Sequence, residues 1–218
     1  MADLSKLYEA ILNGDSKASV ALTEEAIAEK TDPMELVTKH MIPAMDEVGR
    51  RFECSEYFVP ELLLSARAMK GALELIRPLL AASGVQPLGR VVIGTVKGDL
   101  HDIGKNLVSS MLEGSGFEVR DLGTDVSPER FVQAVEETQA QVVCLSALLT
   151  VTMTSMKTTI KALENAGLRK RVKVLVGGAP VTSQYAQQIG ADGYGENANT
   201  AVSLARKIMA EVAPQATA

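Results

Sequence analysis

Arg90-Val91-Val92-Ile93-Gly94-Thr95-Val96-Lys97-Gly98-Asp99-Leu100-His101-Asp102-Ile103-Gly104-Lys105-Asn106 is the stretch on which the reading of this chain turns. Its start is rich in β-branched and apolar residues, the pattern of a buried strand, and its end opens a helical pattern from Ile103 to Glu113. Toward the C-terminus the same alternation repeats. Strands are predicted at Arg90–Thr95, Glu118–Leu122, Val142–Ser146, Lys173–Val176 and, briefly, near Asp192–Tyr194, and helices at Ile103–Glu113, Pro128–Thr138, Thr152–Asn165, Thr182–Ile189 and Asn199–Val212. Alternating strands and helices imply a doubly wound α/β domain, Rossmann- or flavodoxin-like, with a five-stranded parallel sheet in the order 2-1-3-4-5. In such a sheet a ligand lies beyond the C-terminal strand ends where the order reverses. Here that places it at the loops Lys97–Ile103 and Ser146–Thr152.

Upstream the period is helical. Leu4, Leu7, Ile11 and Leu12 recur at helical spacing, Asp15 or Ser16 is a candidate cap, and Thr31-Asp32-Pro33 reads as a cap followed by proline in the first helical turn. Pro43 should kink or restart the next helix, and Pro60 should open a last one carrying Leu63, Ala66, Met69, Leu73 and Ile76. The chain therefore divides into an α-helical bundle over residues 1–82, a linker over 83–89, an α/β domain over 90–213 and a tail over 214–218.

Bulk composition excludes several classes. A net charge of -5 offers no basic surface to nucleic acid. No apolar run is long enough to span a membrane, and no secretory signal pattern precedes Leu4, so a cytoplasmic location is expected. Cys54 and Cys144 form no CxxC pair, which argues against a disulfide scaffold or a zinc site.

His101 is one of two histidines in the chain. At a strand-end loop it is placed to ligate cobalt, zinc, copper or iron. Asp99 could hold its second ring nitrogen, and Gly104 would let a bulky group approach the backbone. A lone loop histidine is ordinarily just solvated, and D-x-H-x-x-G arises by chance in about one or two chains per hundred of this length. The spacing alone therefore does not decide. The second loop, Ser146-Ala147-Leu148-Leu149-Thr150-Val151-Thr152, carries hydroxyls that either cap the next helix or line a pocket. Gly177-Gly178-Ala179 after strand four, and Gly193 and Gly195 around strand five, keep the sheet end small enough for a long, thin ligand.

D-x-H-x-x-G, then S-x-L, then G-G resembles the signature of cobalamin (corrinoid)-binding methyl-carrier proteins of methyltransferase systems, a family similar to the cap and B12-binding domains of methionine synthase. The helical half resembles that cap at Met45-Asp46-Glu47-Val48-Gly49-Arg50-Arg51-Phe52, Glu56-Tyr57-Phe58-Val59-Pro60-Glu61 and Ser65-Ala66-Arg67-Ala68-Met69. The likeness covers nearly the whole chain and is greatest to the free-standing corrinoid subunits.

The resemblance implies a base-off, His-on cobalamin in which His101 is the lower cobalt ligand, with Asp99 and Thr152 completing a relay behind it. Gly98, Asp102, Ile103, Gly104, Ser146, Leu148 and Thr150 would line the cofactor site, and Gly177, Gly178, Ala179 and Gly195 would flank its far end. Phe52, Val59 and Leu62 would cover the methyl-bearing face, with Tyr57 or Phe58 in the bundle core. The implied function is to carry a methyl group, as methylcobalamin, between a substrate-specific methyltransferase and a methyl-accepting methyltransferase. The cobalt would cycle between Co(I) and methyl-Co(III), a reductive activase would be a further partner, and Ala81–Gly89 would be a hinge. Methylamines, methanol, methylated thiols, betaines and methoxylated aromatics are the methyl donors of such systems. The other readings are a subunit of an adenosylcobalamin-dependent mutase, which an aromatic cap would obstruct, and a cobalamin-sensing regulator, which would need an effector domain. A receiver domain would want an aspartate where the third strand ends in Cys144-Leu145-Ser146.

Overall fold

Caps and prolines divide the front of the chain into helices. The computed structural model describes residues 4–82 and 87–212. Helix α1 (Leu4–Leu12) is followed by α2 (Ser16–Ala28), whose N-cap Asp15 accepts from the Ala18 amide at 2.9 Å. Asp32 caps α3 (Pro33–Glu35) through the Met34 amide at 3.0 Å, with Pro33 in the first turn. From there the helix does not break. It widens into a π-helical turn, Leu36–Met41, and continues as α4 (Ile42–Glu53). The expected disturbance by Pro43 takes this form: a proline clashes with the carbonyl four residues back, and the wider turn, in which the Ile42 amide reaches Val37 O, makes room. Helix α5 (Val59–Ala82) starts behind Phe58, whose amide donates to the Glu61 carboxylate at 2.9 Å, and it runs on through Pro78. Its inward stripe, with Leu7, Ile11, Met41 and Val48, forms a core in which Met69 and Ile76 are wholly buried. Each such side chain contributes about 1.5–3 kcal/mol.

The second half is β1 (Arg90–Thr95), α6 (Ile103–Gly114), β2 (Glu118–Asp121), α7 (Pro128–Thr138), β3 (Val142–Ser146), α8 (Thr154–Asn165), β4 (Lys173–Gly177), α9 (Ser183–Gln188), β5 (Gly193–Gly195) and α10 (Ala198–Val212). The sheet is wholly parallel in the order β2-β1-β3-β4-β5, as expected. Val92, Val143 and Val174 are buried between strands and helices, with Phe131 of α7 packed so closely that a Cβ at Gly94 would lie 2.8 Å from its ring. The register aligns Thr95 with Ser146, Ser146 with Gly177 and Gly177 with Gly195, so the strand-end residues stand in one row along the C-terminal edge.

Most element ends fall within one or two residues of expectation, and two of the differences have a visible cause. β5 begins at Gly193 because the Asp192 carboxylate is taken up by the Val174 amide at 2.7 Å and Arg169 at 2.8 Å. α8 begins at Thr154 rather than Thr152, for a reason given below.

The chain forms two compact units, Met1–Pro87 with Ser110–Gly116, and Leu88–Ser109 with Phe117–Ala218. Most of the expected linker at 83–89, and the tail at 214–218, lie outside the described residues.

Candidate functional site

Strands β1 and β3 are neighbours, which brings their C-terminal loops together. Asp99 is the point where they join. Its side chain is fully buried. Its Oδ1 accepts from the His101 amide at 3.1 Å and lies 3.0 Å from His101 Nδ1. Its Oδ2 accepts from the Leu148 amide at 2.8 Å, the Leu149 amide at 3.3 Å and Thr152 Oγ1 at 2.7 Å. Burial alone would push this carboxyl's pKa up, but the Thr152 hydroxyl, the Leu148 amide and the His101 contacts outweigh it and hold it well below the ordinary carboxylate value.

An ionised Asp99 can only accept, so His101 Nδ1 donates to it and Nε2 is the ring nitrogen turned away from the carboxylate. The imidazole is half-exposed, and among the described residues Nε2 has no hydrogen-bond partner. Thr95 Oγ1 donates to His101 O at 2.7 Å, fixing the loop from beneath. These contacts orient the imidazole and leave Nε2 without a hydrogen-bond partner among the described residues.

Thr152 sits in the turn before α8 because its hydroxyl lies between Asp99 Oδ2 and Leu149 O, at 2.7 and 2.8 Å. It is therefore not part of the helix, and α8 has no side-chain cap. Of the two readings of this hydroxyl-rich loop, capping is the one the structure does not support.

Leu100, Ile103, Leu148, Leu149 and Val151 on these same two loops are exposed, Ile103 at 83% and Val151 at 76%. At Gly104 a Cβ would meet nothing within 4 Å. Gly98, Asp102 and Thr150 are likewise exposed, while Ser146 and Gly195 are half-buried in the strand-end row. The glycines of strand four answer first to packing. A Cβ at Gly178, where φ is +128°, would lie 1.9 Å from Ala147 O, and one at Gly177 would lie 2.9 Å from Gly195 O. Ala179 is exposed.

In the helical unit Leu62 has no exposed surface and lies on the inward stripe of α5, and of the pair Tyr57 and Phe58 it is Phe58 that is exposed, at 63%. Tyr57 is the anchor of that turn. Its hydroxyl donates to Leu12 O at 3.2 Å and accepts from Arg51 at 3.0 Å, and the guanidinium lies over its ring. Val59 and Leu63 are exposed beside Phe58, and Phe52 is half-buried.

Residues 89–203 match the B12 binding domain family, and residues 4–77 match a second B12 binding domain family. The chain belongs to the B12-binding corrinoid proteins. It is 43% identical over 208 residues to trimethylamine corrinoid protein 1 of Methanosarcina acetivorans, spanning 94% of this chain and 96% of that one. It is 40% identical to a corrinoid protein of Desulfitobacterium hafniense over 96% of this chain and 98% of that one. Among solved structures it is similar to the methanol:cobalamin methyltransferase complex of Methanosarcina barkeri, with a TM-score of 0.82, 31% identity and coverage of 94% of this chain and 78% of that one.

The α/β unit's residues fit a corrinoid. Among the described residues no group of three or more His, Cys, Asp or Glu gathers to hold a bare ion. The apolar side chains on the same two loops suit a large ring, and the open space at Gly104 leaves room for one. Thr95, the Leu149 amide and the exposed Leu100 and Val151 were missed by sequence reasoning. Only the register of β1 against β3 brings Thr95 and Ser146 to one edge.

Proposed function

We propose that this protein carries a methyl group on a corrinoid held base-off by His101 as the lower cobalt ligand. The observation that supports this most is the buried Asp99 carboxylate, which fixes the imidazole through Nδ1 and leaves Nε2 free. When bound, the corrinoid supplies a cobalt that accepts a methyl group as Co(I) and gives it up as methyl-Co(III). The chain's own part is to hold, orient and shield. Asp99 and Thr152 set the donor strength of His101 through the relay. Ser146, Leu148, Thr150, Gly177, Gly178, Ala179 and Gly195 accommodate the displaced nucleotide tail, and Gly98, Asp102, Ile103 and Gly104 adjoin the ring. The helical unit's exposed Phe58, Val59 and Leu63, with half-buried Phe52, are the apolar surface available to keep water from the methyl group; buried Leu62 is not. Residues 1–82 act as the cap and 90–213 as the cofactor domain.

The partners on this reading are a donor-specific methyltransferase, a methyl-accepting methyltransferase and a reductive activase. Relatives named for trimethylamine and dimethylamine, at 40–45% identity, support a methylated amine as donor over methanol, whose complex is 31% identical. Their names support a carrier over a mutase subunit or a sensor.

The test is to load the protein with hydroxocobalamin, reduce it, and add trimethylamine with a trimethylamine methyltransferase. Conversion of the Co(I) absorption to that of methyl-Co(III), with turnover impaired in His101→Ala, is expected. No methylation by any of the amine, methanol or thiol systems would contradict the carrier reading.

A further inference from the structure

Sequence and fold direct attention to the loops after β1 and β3, but a third loop touches the histidine loop on both sides. Residues 122–127 connect β2 to α7. Upstream of His101, Asp125 holds the chain in two ways. Its Oδ1 accepts from the Gly98 amide at 2.7 Å, and its own amide donates to Asp99 O at 2.9 Å. To do so Asp125 adopts a left-handed backbone, φ +52°, which aspartate and asparagine tolerate and most residues resist. Gly98 opposite it is also left-handed, at φ +86°.

Downstream of His101, Lys105 in the first turn of α6 is only 3% exposed. Its Nζ pairs with Asp121 Oδ2 at the end of β2 and donates to Asn106 Oδ1 at 2.6 Å. Asp121 Oδ1 in turn accepts from the Gly123 amide at 2.8 Å, tying the pair into the same loop. The loop itself is fastened to β1, through Thr95 N–H to Gly123 O at 2.9 Å, Val126 N–H to Thr95 O at 3.0 Å and the Val96–Val126 bridge. Lys105 is buried while 34% of the Asp121 side chain is exposed, and a buried ammonium must be paired to be tolerated, so the contact fixes the start of α6 to the end of β2.

We propose that the β2–α7 loop is the third wall of the cofactor site, gripping the histidine loop before and after His101 through Asp125 and through the Asp121–Lys105 pair. Asp125 and Lys105 are positioning residues: they touch no cofactor, and they act by fixing where Asp99 and His101 stand. The inference rests on His101 being the cobalt ligand.

The test uses the full chain loaded with hydroxocobalamin and reduced to Co(II), for wild type, Asp125→Gly, Asp125→Asn and Lys105→Met. Glycine keeps the left-handed turn but removes the acceptor, asparagine keeps both, and methionine removes the charge at similar length. Two quantities are read: the fraction of Co(II) showing imidazole nitrogen coupling, and the dissociation constant for hydroxocobalamin. Asp125→Gly is expected to bind about 10-fold more weakly, at the low end of the range for groups that orient a metal ligand, and to show a mixture of His-on and His-off species. Asp125→Asn should restore both readings, and Lys105→Met should follow the glycine variant. If Lys105→Met does not fold, the Asp125 pair decides. Wild-type coupling and affinity in Asp125→Gly would overturn the inference, whatever its thermal midpoint. A wild type without imidazole coupling would overturn the ligand assignment itself, and this inference with it.

Discussion

At the scale of single residues, Asp99 is the hinge of the site. Asp99→Ala would leave the Leu148 and Leu149 amides without their carboxylate acceptor, while the Thr152 hydroxyl would keep Leu149 O. Each such orphaned donor costs about 1–3 kcal/mol when buried. Chemical denaturation should therefore show Asp99→Ala destabilised by at least about 2 kcal/mol, and titration should show cobalamin affinity down about 10–100-fold. Thr152→Val is milder, because Asp99 keeps its other donors; a loss of about 1–3 kcal/mol is expected, with the imidazole still in place. A neutral outcome for Asp99→Ala in both measurements would sink the relay. His101 and Asp99 stood out in the sequence by their place in a strand-end loop, whereas Thr152 entered only through the family resemblance, because its contact with Asp99 spans 53 residues. Helical spacing shows that a stripe exists but not how wide it is: Leu62 falls inside the stripe and Leu63 outside it. The sequence left Tyr57 and Phe58 as alternatives because an aromatic beside a helix start reads equally well as core or surface. Here Tyr57 takes the anchoring role through its hydroxyl, which Phe58 lacks.

At the scale of elements, the turn between α4 and α5 is held by charge. Glu47 bonds Arg50 at 2.7 Å and Arg51 at 2.9 Å, and those guanidinium contacts lower its pKa from 4.5 to about 2. A carboxylate with a depressed folded value stabilises the fold above its unfolded value and loses that contribution as pH falls through the folded one. The stability of the wild type should thus decline between about pH 4.5 and pH 2 more steeply than that of Glu47→Gln, measured by thermal unfolding across that range. Equal slopes would mean the network is too exposed to matter.

The loop after β4 depends on sterics instead. Gly178→Ala would bring a Cβ within 1.9 Å of Ala147 O in a left-handed backbone, so the loop must move. A loss of about 1–3 kcal/mol follows, and a fully stable alanine variant would contradict it. Helix starts at Asp15 and Asp32 were legible because capping is local. The π-helical turn at Leu36–Met41 was not, because a proline announces a disturbance without saying which backbone absorbs it.

At the scale of the whole molecule, strand order and direction were legible because alternating strands and helices permit few right-handed parallel windings. The structure adds the register that lines up Thr95, Ser146, Gly177 and Gly195, a long-range property that no local pattern encodes. A ligand that binds only the folded chain stabilises it by mass action, about 2.7 kcal/mol at a concentration 100-fold above its dissociation constant. Hydroxocobalamin should therefore raise the thermal midpoint of the wild type, and the rise should shrink in His101→Ala at equal concentration.

The most direct measurement is the paramagnetic spectrum of the Co(II) form, recorded for wild type and His101→Ala after loading with hydroxocobalamin. Coupling of the cobalt electron to an imidazole nitrogen in the wild type, absent from His101→Ala, is the predicted result. The same coupling in both proteins, or benzimidazole still on the cobalt in the wild type, would contradict His101 as the lower ligand.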